Sequence, residues 1–174
     1  MPEPEIAEEI IRILASGGKS IAAAESCTAG LAADLIARIP GASRVFWGSF
    51  VTYSPDAKVR MLGVSGELLK KEGAVSRSVA LAMAEGALEK SGASLAFSIT
   101  GFAGPCNADG LAGDDSEAPV GTVWVGIAEK GDGKGVQSEA KMFRFSGSRN
   151  VVREAAAKAA LEEVLKKILT YEIF

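Results

Sequence analysis

The sequence contains no histidine among its 174 residues. That absence removes the serine–histidine–acid triad, cysteine–histidine catalysis and any zinc site that uses histidine. A hydrolase built on this chain must draw its base from Lys, Asp, Glu or Tyr. Cysteine is scarce too: Cys27 and Cys106 are the two in the chain, too few for a disulfide framework. Their setting, a polar turn and a loop, points to a reducing, cytoplasmic compartment. Aromatic residues make up only 6%, and much of the apolar content is alanine, which favours closely packed helices. No apolar run approaches the ~20 residues that span a bilayer. The acidic, amphipathic start MPEPEIAEEIIRIL lacks the basic start and continuous apolar core of a secretory signal. The formal net charge is −3 with no basic stripe, so neither nucleic acid nor a membrane is an expected partner. A local phosphate site needs only a few arginines and stays open.

What is present reads as one globular domain, with 48% hydrophobic and 24% charged residues. Ile6, Ile10, Ile11 and Leu14 recur at helical spacing and predict a first helix over about 3–16, ended by Gly17-Gly18. Ser20 to Ala24 reads as a buried strand, followed by a helix capped by Thr28 that runs to about Arg38. Arg44 to Tyr53 is rich in β-branched and aromatic residues and predicts a second strand. Ser54-Pro55, Ser65 and Ser76 each read as a helix start, the last helix ending at Gly92. Ser94 to Thr100 is a third strand, and a polar, Gly-rich stretch then runs to Pro119. Val120 to Glu129 and Val136 to Phe145 form a hairpin, and Ser148 caps a final helix to about Leu169. Strands alternating with helices, then a hairpin, predict an α/β fold: a single-domain three-layer α/β/α sandwich with a mixed sheet of about five strands.

Ligands of such sheets gather where strands end and helices begin. AESCTAG follows the first strand and crowds Glu25, Ser26, Cys27 and Thr28 into one turn. TYSPDAK follows the second and carries Tyr53 and Lys58; TGFAGP follows the third and offers Thr100 and glycine N–H groups from Gly101 onward. FSGSRNVVR places Arg149 and Arg153 at i and i+4 at the head of the last helix. Each has an ordinary reading: a turn hydroxyl for Ser26, a small buried core thiol for Cys27, solvated charges for Glu25, Lys58 and the arginines. The functional reading makes Ser26 or Cys27 a nucleophile. Lys58 is then a base once burial or a nearby cation lowers its pKa. Two arginines at the positive end of a helix dipole call for a compensating anion, from a ligand or an acidic neighbour. The acidic loop, with Asp109, Asp114, Asp115 and Glu117, matches no metal-ion loop spacing.

Taken together, AESCTAG, PGASRVFWGSFVTYSPDAK, LGV, GAVS, AEGAL, TGFAGP, PVGTVWVGIA and FSGSRNVVREAAAKAAL resemble the C-terminal domain family of the competence/damage-inducible protein CinA. The resemblance runs from about Ala22 to the last helix. That family includes stand-alone nicotinamide mononucleotide (NMN) deamidases. The resemblance implies an amidohydrolase that releases ammonia from NMN, recycling pyridine nucleotide, with no metal or organic cofactor. It implies Ser26 as the nucleophile, Lys58 as base and later proton donor, and Tyr53 as a supporting member. It implies Thr28, Thr100 and Gly101 as substrate or oxyanion groups, and Arg149 and Arg153 as ligands of the 5′-phosphate; Glu25, from its own place in the turn, is expected to orient its neighbours or bind a substrate hydroxyl. It also implies a homodimer or larger homo-oligomer, for which the apolar Val45-Phe46-Trp47 offers surface. The expected organisation is one domain over 1–174, its N-terminal helix packed on it, without the molybdopterin-binding-like domain of longer CinA proteins.

Three features depart from the family pattern. Ala29 stands where the family usually has glycine, Ser148 where relatives often have aspartate, and the 106–118 loop is longer and acidic. The altered loop supports two alternatives: a non-catalytic nucleotide-binding or regulatory module tied to competence or DNA damage, and an amidase for another substrate.

Overall fold

Five strands form one mixed sheet in the computed structural model, which describes residues 3–104, 119–131, 133 and 135–173. They are β1 (Ile21–Glu25), β2 (Phe46–Val51), β3 (Leu95–Gly101), β4 (Thr122–Lys130) and β5 (Val136–Arg144). Across the sheet they lie in the order β2-β1-β3-β4-β5. β1 pairs in parallel with β2 and β3, whereas β4 and β5 are antiparallel. The helices are α1 (Glu3–Ser16), α2 (Leu31–Ala37), α3 (Pro55–Leu62), α4 (Gly66–Glu72), α5 (Arg77–Ser91) and α6 (Arg149–Leu169). This is the α/β sandwich with a mixed five-stranded sheet expected from the sequence.

The two faces of the sheet carry different side-chain sizes, because alternate residues of a strand point to opposite sides. Ile21, Leu95, Phe97, Ile99, Val123 and Val125 fill one face and pack on α1, α2 and α6. Ala22, Ala24, Ala96 and Ala128 line the other, against α5. Small residues there let α5 approach the strands closely. A Cβ on Gly126 would lie 2.5 Å from the Ala80 carbonyl oxygen, and the Ser98 hydroxyl donates to that same oxygen at 2.6 Å.

Three helix starts match their serine caps: Ser54, Ser65 and Ser76 accept from the N–H groups of Ala57, Leu68 and Val79. Two do not. α2 begins after Gly30, not after Thr28, and Gly30 makes no side-chain cap bond. Ser148 holds the cap position of α6, yet its hydroxyl makes no cap bond. Strand limits shift as well. Arg44, the expected start of the second strand, closes a 3-10 turn over Ala42–Arg44, and Thr52 and Tyr53 lie beyond β2. β4 starts at Thr122 because Gly121, at φ +87, turns the chain; a Cβ there would sit 2.0 Å from the Phe145 carbonyl oxygen. Of the apolar trio expected to offer an association surface, Val45 is in the core and only Trp47 is well exposed, at 52%, on edge strand β2. The 106–118 loop, with Cys106, lies outside the described residues.

This topology creates a crevice. After β1 the chain crosses through α2 to β2, while after β3 it turns to β4 on the other side. The carboxyl ends of β1 and β3 are adjacent, with Glu25 paired to Ile99, and the chain leaves them in opposite directions. Such a switch point is where open α/β sheets bind ligands.

Candidate active site

Ser26 is the first residue past β1, and its N–H donates to the Ile99 carbonyl of β3 at 2.9 Å. Lys58 comes from the first turn of α3, which Ser54 caps and Pro55 begins. Its Nζ lies 2.8 Å from the Ser26 Oγ and donates to the Thr52 carbonyl oxygen at 2.9 Å. The side chain is only 1% exposed. Burial disfavours the ammonium and pulls its pKa from 10.5 to about 8. A Cys27 thiolate would raise it again, but burial pushes that thiol up to about 11, so at neutral pH Cys27 carries no charge. The rival nucleophile is therefore held in its unreactive form. Lys58 is instead poised within reach of losing its proton at working pH.

Close approach of helix to helix puts Lys58 there. Gly86 of α5 faces the end of α3, where a Cβ would lie 2.2 Å from the Leu62 carbonyl oxygen. The glycine lets α3 settle against α5, so that Lys58 reaches across to the end of β1.

A cavity of about 630 Å³ opens over this pair. Ser26, Cys27 and Lys58 are at its base, with Thr100, Gly101 and Gly104 of the TGFAGP segment beside them. Tyr53, Asp56, Lys70 and Arg149 also line it, and Leu69, Val75 and Phe102 supply apolar wall. The volume lies in the range of small-molecule sites. Among the described residues no group of three or more Cys, Asp and Glu side chains is placed to hold a metal ion.

Residues 3–168 match the profile of the CinA C-terminal domain. This chain belongs to the CinA C-terminal domain family. A putative competence-damage inducible protein of Caldicellulosiruptor saccharolyticus is 46% identical over 94% of the chain, and one of Symbiobacterium thermophilum is 44% identical over 97%. The chain spans only 37% and 39% of those two relatives, so it corresponds to one part of them. Solved structures match over nearly full length. A CinA superfamily protein of Klebsiella pneumoniae superposes with a TM-score of 0.85 at 30% identity, covering 98% of this chain and 99% of its own. The competence/damage inducible protein CihA of Agrobacterium tumefaciens gives 0.82 at 38% identity, covering 94% of each.

Within this CinA domain the remaining residues of the sequence reading divide. Gly101 lines the cavity and has to be glycine, since a Cβ would lie 2.7 Å from Val123 Cγ2 and 2.8 Å from the Thr122 carbonyl oxygen. Thr100 also lines it, with its hydroxyl donating to the Ala74 carbonyl at 2.7 Å. Arg149 lines it and donates to the Tyr53 hydroxyl at 2.5 Å, across the cavity mouth. Tyr53 is 57% exposed and its hydroxyl is joined to Arg149, not to the Lys58–Ser26 pair.

Three others fall away from the cavity. Glu25 is fully buried, and its carboxylate accepts from the N–H groups of Gly30, Ala32 and Ala33 and from the Ser49 hydroxyl. It caps α2 in place of Thr28, which leaves no oxygen facing a substrate. The favourable pairing of a carboxylate with a helix N-terminus explains the choice. Thr28 is likewise buried, its hydroxyl without a partner among the described residues and its carbonyl accepting from Leu31 and Arg153. Arg153 turns away from the cavity and donates to backbone carbonyls. Sequence reading missed Lys70 and Asp56 as lining residues. The step from α3 to α4 brings Lys70 round to the cavity, and no local motif marks it.

Proposed function

We propose that this domain is a serine–lysine amidohydrolase that converts NMN and water to nicotinic acid mononucleotide and ammonia. The observation that carries the reading is the buried 2.8 Å contact between Lys58 Nζ and Ser26 Oγ at the base of the cavity. In its neutral form Lys58 accepts the hydroxyl proton as Ser26 Oγ attacks the carboxamide carbon. The Thr52 carbonyl fixes the direction of the amine. The resulting ammonium then gives its proton to the amide nitrogen as the C–N bond breaks, so that it departs as ammonia and leaves acyl-serine. Water, activated by the same amine, hydrolyses the acyl-serine and regenerates the hydroxyl. Lysine does here what histidine does in a triad, and its pKa of about 8 suits both the taking and the returning of a proton.

The anionic end of the substrate is assigned to Arg149. It shares the cavity with Lys70, and it begins a helix whose cap hydroxyl makes no cap bond and whose first turn holds no acidic residue. The positive end of a helix dipole suits a phosphate.

The test is ammonia release from NMN and from its dephosphorylated nucleoside by wild type, Ser26→Ala and Arg149→Ala. Release from NMN that disappears in Ser26→Ala supports the mechanism. Arg149→Ala should raise KM for NMN well above its effect on the nucleoside; equal effects on both would refute the phosphate assignment. Binding of NMN with no ammonia from the wild type would select the non-catalytic module instead. Turnover of other amides alone would select a related amidase.

A further inference from the structure

We infer that Arg153 is a positioning residue for the nucleophile, holding the Ser26–Gly30 turn by its carbonyl groups, and not a ligand for the substrate's anion. This rests on Ser26 acting as the nucleophile.

All three guanidinium nitrogens are committed. Nε donates to the Cys27 carbonyl at 3.0 Å, Nη2 to the Thr28 carbonyl at 3.1 Å and Nη1 to Asn150 Oδ1 at 3.1 Å. Arg149 lies one helical turn earlier and lines the cavity, whereas Arg153 is outside the lining. The i, i+4 pair therefore splits its work: the first arginine faces ligand, the second faces the turn that carries Ser26.

That turn needs holding. Ala29 adopts φ +50, the left-handed region that a side chain enters at a cost. Such backbone persists where its surroundings over-determine it. Here the N–H side is held by Glu25, which accepts from Gly30 at the end of the turn and from Ala32 and Ala33 in the first turn of α2 that follows. The carbonyl side is held by Arg153. Between them the Ala29 N–H returns to the Ser26 carbonyl at 3.1 Å. A carboxylate and a guanidinium thus grip opposite polarities of one five-residue turn. Charge-assisted bonds of this kind are stronger than neutral ones. A lysine keeps the charge but not the planar fork that reaches two carbonyls at once.

The consequence lies in the distance from Ser26 Oγ to Lys58 Nζ. A shift of about 1 Å in a reacting group costs on the order of 100-fold in rate. The experiment labels Ser26 with phenylmethylsulfonyl fluoride, a small neutral probe that carries no phosphate. Ser26 Oγ forms the bond to sulfur, fluoride leaves, and the hydroxyl proton passes to Lys58. Labelling, located by mass spectrometry, is timed for wild type, Arg153→Ala and Arg153→Lys below their unfolding midpoints. Both variants should label about 10-fold or more slowly, and on NMN both should lose kcat with little change in KM. Hydrogen exchange in peptides covering 26–31 should quicken in both.

Wild-type labelling in Arg153→Ala would overturn the inference. So would a raised KM for NMN that Arg153→Lys restores, since rescue by charge alone marks an anion ligand. A wild type that labels at Ser26 but releases no ammonia from NMN would refute the substrate and leave the labelling rates to decide on Arg153. If the wild type resists the probe, unchanged exchange over 26–31 in Arg153→Ala overturns the inference, and quickened exchange supports it.

Discussion

Replacing Lys58 by methionine removes the titrating amine while keeping an unbranched side chain of similar length. A fall in pKa from 10.5 to about 8 means that the folded protein disfavours the ammonium. At 1.36 kcal/mol per unit, that is a cost of about 3 kcal/mol for holding the charged form. The sign follows from proton counts. Below about pH 8 the folded and unfolded chains both hold the proton, and the full cost is present. Between about 8 and 10.5 the unfolded chain holds more protons than the folded one, so stability rises with pH. Above 10.5 both are neutral and the cost is gone. Urea titrations of wild type and Lys58→Met from pH 7 to 11 isolate this term, because the other titrating groups largely cancel in the difference. The stability of the wild type relative to the variant should climb by about 3 kcal/mol across that window. The constant part of the difference reports the bonds to Ser26 and Thr52 and does not affect the slope. A flat difference, or one that falls with pH, would refute the burial argument and with it the reading of Lys58 as a base. Activity gives a parallel check: kcat/KM for NMN should rise with pH up to a limb near 8.

Cys27→Ala should leave turnover within a few-fold of wild type, since the thiol is neutral; loss as severe as that of Ser26→Ala, measured by ammonia release, would make Cys27 the nucleophile. Glu25→Gln keeps the shape but drops the charge from three helix N–H bonds, and should cost about 2 kcal/mol in urea unfolding; an unchanged midpoint would show that the cap contributes little. Ala29→Gly should stabilise by up to about 1 kcal/mol, as strain relief at φ +50 outweighs the entropy of the freer unfolded chain; destabilisation would mean that the turn is unstrained. Gly86→Ala forces α3 off α5 and should lower the thermal midpoint and kcat together; a stable variant with full kcat would separate that helix contact from the placement of Lys58.

The sequence by itself determined the sheet, most of the helices and the chemistry that was not available. Burial follows local pattern, so the short, continuously buried apolar runs IAAAE and LAFSIT and the helical spacing in α1 were legible without a fold. The caps at Ser54, Ser65 and Ser76 were legible too, because each partner is three residues away. The absence of histidine narrowed any serine mechanism before a coordinate was known. The family pattern brought Ser26, Lys58 and Arg149 forward as a set, and the fold sets Ser26 and Lys58 in contact at the base of the cavity, with Arg149 in its wall. Only the tertiary structure decided where each polar group spends its bonds. Glu25 and Thr28 stand three residues apart in one motif, yet the carboxylate reaches the helix N-terminus and the hydroxyl finds no partner among the described residues. Arg149 and Arg153 share a helix face, yet one meets the cavity and the other meets two carbonyls more than a hundred residues away in the chain. A polar side chain takes the partner that packing brings within about 3 Å. In this protein that choice depended on how closely α6 and α3 settle against the ends of β1 and β3, a distance set by glycines and alanines whose neighbours are remote in sequence.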